Sequence, residues 1–297
     1  MMKKNMWSRW ILALAVVWPF MAAAHDRVRE KENFDFDWKF ILNADDRANA
    51  GMQVSEAGWQ DVQLPHDWSI SLNFDPKLSG SNGHLPGGIG WYRKTFRVDK
   101  KDKGRRIAVL FDGIYSRSDV YVNGQHLGFR PYGFCYQEYD LTPYLNYGAE
   151  NVLAVRVNNP LEHDSVARWY TGAGIYRHAW LVKTAEVHVA SYGTYVTTPV
   201  VTAERAEVRV RTSVANEAER TKTLSVRQQI TDGEGRTVVQ SGKQALQVAA
   251  GQTADTEHTL EIPRPQLWDT EHPYLYTLHT AVYDGRKLVD TYETVFG

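Results

Sequence analysis

The densest group of side chains able to bind a ligand lies in residues 168–181, whose sequence is RWYTGAGIYRHAWL. Aromatic rings and guanidinium groups flank Gly172 and Gly174, and an apolar run begins at Ile175. Aromatic rings offer flat apolar surfaces, and arginine donates several hydrogen bonds from a rigid planar group. Because glycine tolerates backbone angles that other residues avoid, we expect a sharp turn that leads into a buried strand.

Other candidate reactive groups are weaker. Glu162, His163 and Asp164 form a cluster of metal-binding types, but three consecutive loop residues rarely converge on one ion, so no metal site is predicted. Glu138 and Asp140 could share one face of a strand end, although capping and solvation are the simpler explanation. The Gly-x-Gly stretch precedes a strand instead of a helix, and no phosphate, dinucleotide or other cofactor motif is present.

The elements that must position these residues are predicted to be strands. Short apolar runs alternate with turns between residues 38 and 182, which is typical of an all-β sandwich. Asn123-Gly124 favours a two-residue hairpin turn, and residues 140–143 are expected to form a short helical turn capped by Asp140. The predicted runs are 38–42, 60–64, 91–98, 107–111, 119–122, 152–157 and 175–182.

Several short motifs in this region follow one another in an order that resembles the sugar-binding domain of glycoside hydrolase family 2. They are LPHDW at 64–68, GWYRKTF at 90–96, FDG at 111–113, VYVNG at 120–124, YGF at 132–134, DLT at 140–142 and NVLAV at 151–155. Residues 168–181 resemble that domain's signature. The family contains β-galactosidases, β-glucuronidases and β-mannosidases. The resemblance implies a jelly-roll β-sandwich over residues 25–184.

The same resemblance suggests the substrate-binding residues. In the family, a loop of this domain leans over the active site of another domain. By that analogy, Asp67 and the loop residues Asn82 and His84 are expected to approach substrate, although a solvated loop remains an equal alternative. Trp169 and Tyr170 are expected either to stack on a sugar ring or to pack between domains.

Arg168 occupies a position where several family members carry an aspartate that contacts the sugar and, in some, helps to hold sodium. A guanidinium stays protonated, so no cation is predicted there. Arg168 is expected either to donate hydrogen bonds to a sugar hydroxyl or acidic sugar, or to form a salt bridge at a domain interface.

A second domain is predicted over residues 185–297. Its seven expected strands are 187–196, 207–214, 224–230, 238–240, 256–262, 276–283 and 287–295, a number that suggests an immunoglobulin-like β-sandwich. Asp232-Gly233 and Asp284-Gly285 predict hairpin turns, and Trp268 is expected in the core.

The resemblance also indicates where catalysis takes place in the family. Retaining hydrolysis of a glycoside needs two carboxylates about 5–5.5 Å apart. The family takes both, as glutamates, from a (β/α)₈ barrel, and such a barrel needs about 250 residues. No segment of this sequence matches one, so no catalytic residue is predicted and the chain alone is expected to hydrolyse nothing. Asn216-Glu217 has the spelling of the family's acid/base motif, but a hairpin loop is favoured.

The first residues predict export. Lys3, Lys4 and Arg9 precede a short apolar run and the small residues 22–24, which is typical of a signal peptide over 1–24. The mature chain is then expected to begin at His25, to be periplasmic or secreted, and to have no membrane association after cleavage. The single Cys135 excludes an intrachain disulfide, and a net charge of −1 without a basic block makes nucleic acid an unexpected partner.

Three functions remain open on the sequence alone. The favoured one is the non-catalytic N-terminal part of an exported, β-galactosidase-like family 2 glycoside hydrolase, which would bind carbohydrate and associate with a catalytic barrel or with itself. The second is a free-standing carbohydrate-binding module. The third is a structural scaffold for a separately encoded barrel.

Overall fold

A computed structural model of the chain describes residues 28–42, 46–159 and 169–297. The predicted signal peptide, the cluster at 162–164 and Arg168 lie outside these residues. In the described residues the fold is a pair of β-sandwiches without α-helix, so the predicted all-β class, a jelly roll followed by an immunoglobulin-like sandwich, is confirmed.

The first sandwich contains ten strands. They are β1 (Glu30–Asn33), β2 (Trp38–Leu42), β3 (Gln60–Val62), β4 (Gly88–Arg97), β5 (Arg106–Phe111), β6 (Ser118–Val122), β7 (Gln125–Arg130), β8 (Gln137–Asp140), β9 (Glu150–Asn159) and β10 (Ala179–Thr184). Short 3₁₀ turns lie at Arg47–Ala50, Ser69–Ser71, Gly80–Asn82, Lys100–Asp102 and Thr142–Tyr144. One sheet has the order β1-β10-β5-β8 and the other has the order β3-β2-β4-β9-β6-β7.

The core between these sheets is aromatic. Trp38 and Trp68 are buried against Tyr92, whose ring lies 4.8 Å from that of Phe40. Burial of such large rings supplies much of the apolar area that stabilises the sandwich. The expected turns also form: Asn123 and Gly124 both have positive φ between β6 and β7, and Asp140 accepts hydrogen bonds from the backbone and hydroxyl of Thr142.

The second sandwich contains eight strands. They are β11 (Val187–Val201), β12 (Arg205–Asn216), β13 (Lys222–Thr231), β14 (Thr237–Gln240), β15 (Gln244–Val248), β16 (Gln252–Pro263), β17 (Tyr276–Asp284) and β18 (Lys287–Phe296). The sheet β11-β12-β16 faces the sheet β14-β13-β17-β18, and β15 also pairs with β13. The two predicted Asp-Gly hairpins join β13 to β14 and β17 to β18.

Two expectations for this sandwich are wrong. Trp268 is 51% exposed and lies outside the core, because it follows the end of β16 on an irregular segment that no sheet covers. Asn216 ends β12 and Glu217 begins the loop that follows, but this loop joins strands of different sheets and is not a hairpin. The Asn216 amide donates to the carbonyls of Arg220 and Val248, so it serves to close the loop.

Candidate functional site

The candidate site is built on the turn that the two glycines allow. Gly172 has a φ of 75° and Gly174 a φ of 117°, both in the region that favours glycine. Gly174 exchanges two 2.8 Å backbone hydrogen bonds with Tyr115, and the Trp68 backbone N–H donates to the Ala173 carbonyl. The turn is therefore held on both sides by loops of the first sandwich.

Asp67 is the central acceptor of the site. Its Oδ1 accepts 3.0 Å hydrogen bonds from the backbone N–H groups of Ser69 and Ala173. Its Oδ2 accepts a 2.6 Å hydrogen bond from the Tyr170 hydroxyl. Burial, followed by this hydrogen bond and the Asp67 charge, raises the pKa of Tyr170. Tyr170 therefore remains a neutral phenol that donates to Asp67 at physiological pH.

Asn82 ties the long loop between Trp68 and β4 to the same turn. Its Oδ1 accepts hydrogen bonds from the backbone N–H and the hydroxyl of Thr171, at 3.3 Å and 3.1 Å. The Asn82 amide nitrogen donates no hydrogen bond to another part of the chain that the structure describes. The half-buried Asn82 side chain is therefore oriented by Thr171.

His84 lies on the same loop but bonds within it. Its Nδ1 is 2.8 Å from the Leu78 carbonyl, and its backbone N–H donates to Ser79. The side chain is exposed, and it makes no hydrogen bond to Asp67 or Tyr170. The structure therefore gives His84 a part in shaping the loop.

The aromatic residues of the signature are on the surface. Trp169 is 60% exposed and Tyr170 is 39% exposed, so neither ring is buried in the core. The structure thus bonds Asp67 to Tyr170 and Asn82 to Thr171, the two consecutive residues that follow exposed Trp169. Whether these residues bind sugar stays a prediction, and Arg168 lies outside the described residues.

Some supporting residues were not expected from the sequence. Asn159, the last residue of β9, donates from its side chain to the Gly172 carbonyl at 3.1 Å. His66 Nδ1 lies 2.8 Å from the hydroxyl of the buried Tyr92, whose pKa is raised by burial. In the sequence, Asn159 is marked only by its position at the end of an apolar run. That position does not show that its side chain bonds to Gly172.

The carboxylates considered as catalytic candidates have structural roles. Glu138 and Glu217 both pair with Arg106, at 2.7 Å and 2.8 Å, and so join the two sandwiches. His188 lies beside this cluster, and its buried ring has a pKa lowered to about 4, first by burial and then by the positive charges of Arg106 and Arg29. Among the described residues, no group of three or more acidic, histidine or cysteine side chains could hold a metal ion.

Comparison with known proteins decides the family. The model described as the sugar-binding domain of glycosyl hydrolases family 2 matches residues 32–185, and a second model, described as glycosyl hydrolases family 2, matches residues 187–297. The chain belongs to glycosyl hydrolase family 2. The family inferred from the short motifs is thereby confirmed, and the Asp67–Tyr170 group lies inside the sugar-binding domain.

Named relatives of this family 2 chain include the β-galactosidase BoGH2A of Bacteroides ovatus, 43% identical over 91% of this chain and 31% of that protein. A β-glucuronidase of Formosa agariphila is 33% identical over 91% of this chain and 29% of its own length. A solved family 2 structure from Bacteroides cellulosilyticus has a TM-score of 0.80 and 38% identity over 90% of this chain and 36% of its own. The chain spans about a third of the length of the curated relatives it matches.

Within residues 28–42, 46–159 and 169–297, no helix is both long and apolar enough to cross a bilayer.

Proposed function

We propose that the chain is the non-catalytic sugar-binding and immunoglobulin-like part of an exported, β-galactosidase-like family 2 glycoside hydrolase. Its sugar-binding domain shapes the substrate pocket, and a (β/α)₈ barrel outside these 297 residues supplies the catalytic glutamates. The observation that carries the proposal is that Asp67 bonds to Tyr170 and Asn82 bonds to Thr171, the two residues that follow exposed Trp169. An exposed ring next to oriented acceptors and donors is suited to a pyranose, which has apolar faces and a polar rim.

The partner of this part is the catalytic barrel, and the support is an apolar cavity at one end of the second sandwich. This cavity of about 510 Å³ is lined by Leu267, Trp268 and Leu275, which are all about half exposed. Exposed apolar patches of this kind are typical of interaction surfaces. Self-association through the same residues is the competing outcome of the experiment.

The test combines the chain with the remaining two thirds of the Bacteroides ovatus relative. The purified 25–297 chain alone should not hydrolyse a chromogenic β-galactoside, and the remainder alone should have little activity. The mixture should regain activity, and Trp268→Ser should reduce that gain. Phe129→Ser, a change at an exposed apolar residue of β7 in the first sandwich, should not reduce it. Hydrolysis by the chain alone would refute its non-catalytic role, and a dimer that dissociates only in Trp268→Ser would favour self-association.

Export is part of the same proposal. A basic start, an apolar run and three alanines support cleavage after Ala24. N-terminal sequencing of the protein from a periplasmic fraction should begin at His25, and a chain that retains Met1 in the cytoplasm would contradict this.

A further inference from the structure

A groove of about 360 Å³ lies at the junction of the two sandwiches, apart from the Asp67–Tyr170 group. Its walls come from both domains, because Lys31 belongs to β1, Ser191 and Tyr192 to β11, and Tyr292 to β18. Ligand pockets have volumes of about 300–1,000 Å³ and occur preferentially at domain interfaces. The size and place of the groove therefore match a small-ligand site.

Tyr192 is fixed at the edge of this groove by three contacts. Its backbone φ of 53° is unusual for a residue other than glycine and coincides with a break in the register between β11 and β12. Its hydroxyl donates to Asp112 at 3.2 Å, its N–H donates to the Tyr292 hydroxyl at 3.0 Å, and its ring lies 4.6 Å from that of Tyr136. β-Bulges commonly redirect a side chain next to a functional site.

The floor of the groove is equally well anchored. Arg29 donates to both oxygens of Asp290, at 3.1 Å and 2.8 Å, and Asp290 is fully buried. The Arg29 guanidinium also lies 4.8 Å from the centre of the Tyr292 ring. The two tyrosine walls are therefore held in place before any ligand arrives, which lowers the entropic cost of binding.

The chemistry of the groove combines aromatic faces with available polar groups. Tyr192 is 55% exposed, and hydroxyls of Ser191 and Thr291 line the cavity. The ammonium of Lys31 lies 4.0 Å above the Trp180 ring and makes no hydrogen bond or ion pair with a described residue. Lys31 is an exposed residue of β1, so its ammonium is accessible to a ligand oxygen.

We propose that this groove is a second carbohydrate site, in which a pyranose unit packs on Tyr192 and Tyr292 and receives a hydrogen bond from Lys31. Apolar sugar faces match the tyrosine rings, and hydroxyl or carboxylate oxygens of the sugar match the ammonium and the two hydroxyls. The site lies between the domains, so a bound saccharide would contact both sandwiches at once.

The test uses the indole signal of Trp180 in ¹H–¹⁵N spectra of the full 297-residue chain. This indole donates to Asp112 and lies below Lys31, so its resonance reports on the groove. Methyl β-galactoside and methyl β-glucuronide are the probes. At least one of them should shift the signal in a saturable way, and Lys31→Ala should weaken that binding about tenfold because a charge-assisted hydrogen bond is lost.

Control variants separate this site from the one proposed above. Asp67→Asn should leave the Trp180 response unchanged even if it abolishes binding elsewhere. Lys103→Ala should have no effect because Lys103 is an exposed lysine that does not line the groove. Ser191→Phe fills the groove and should abolish the Trp180 response, although Lys31 is still present in this variant. Absence of a Trp180 shift with both probes, or a shift unaffected by Lys31→Ala and Ser191→Phe, would overturn the proposal.

Discussion

The Tyr170 hydroxyl donates a 2.6 Å hydrogen bond to Oδ2 of Asp67, a residue 103 positions earlier in the chain. The other oxygen of Asp67 is already held by the backbone of Ser69 and Ala173. Asp67 therefore fixes the turn through its backbone contacts, while the bond to Tyr170 orients an exposed ring. This division predicts that stability and ligand binding can be changed separately.

Tyr170→Phe tests that division directly. The variant keeps the ring and loses one partly exposed hydrogen bond, so the free energy of unfolding should fall by about 1 kcal/mol or less. The free energy of binding methyl β-galactoside, measured by calorimetry, should change clearly more than the free energy of unfolding. The reason is that the Tyr170 ring is no longer oriented. Tyr144→Phe, a change at another exposed tyrosine, is the control and should alter neither quantity. Unchanged sugar binding in Tyr170→Phe would contradict the role given to this residue.

Gly174→Ala should destabilise the turn strongly. A Cβ at this position would collide with the Tyr92 hydroxyl and lie 2.6 Å from the His66 carbonyl oxygen, in addition to a strained φ. We expect a loss of about 3 kcal/mol or more in urea unfolding, as for other overpacked or strained buried sites. Gly235→Ala has a similar positive φ but open space around it, so it should cost only about 1 kcal/mol. Equal losses in the two variants would show that the close approach at Gly174 is unimportant.

Asn82→Ala should release the long loop from the turn. The variant removes the acceptor for both hydrogen bonds from Thr171, and the loop makes few other side-chain bonds to that turn. Hydrogen exchange of amides 72–87 should become faster, with little change in the exchange of β4 and β9. Asn73→Ala, at an exposed position of the same loop, provides the comparison. Protection that survives Asn82→Ala would mean that other contacts hold the loop.

His188 predicts a specific loss of stability in mild acid. Its folded-state pKa of about 4 lies below the ordinary value of 6.5. Between these pH values the unfolded chain takes up a proton that the folded chain does not, so the free energy of unfolding falls as the pH falls. The contribution is fully present above about pH 6.5, and the difference in pKa corresponds to about 3 kcal/mol at most.

The measurement is urea unfolding at several pH values between 4 and 7 for the wild type and for His188→Gln. Carboxylates titrate in both proteins, so the difference between the two slopes isolates the histidine. His272→Gln removes an exposed histidine of the same sandwich and serves as the matched control. Parallel curves for wild type and His188→Gln would contradict the lowered pKa.

The local features of this chain follow from its sequence. Alternating apolar runs, Asn123-Gly124, the two Asp-Gly pairs and the glycines at 172 and 174 predict strands and turns because they act on the backbone within a few residues. The order of the short motifs was enough to indicate the family. These preferences are local, so they do not depend on which distant residue comes into contact.

The tertiary structure alone decided the long-range partners. Two contacts join residues that are distant in sequence, namely Asp67 with Tyr170 and Glu217 with Arg106. The groove beside Tyr192 also forms from distant segments, and the exposure of Trp268 depends on how the sheets pack. A side chain's type specifies what it can bond to but not which atoms the packing of two sheets and two domains will bring within 3 Å. Only the folded chain determines that, because sheet order, strand register and domain contact are set cooperatively by the burial of the whole core.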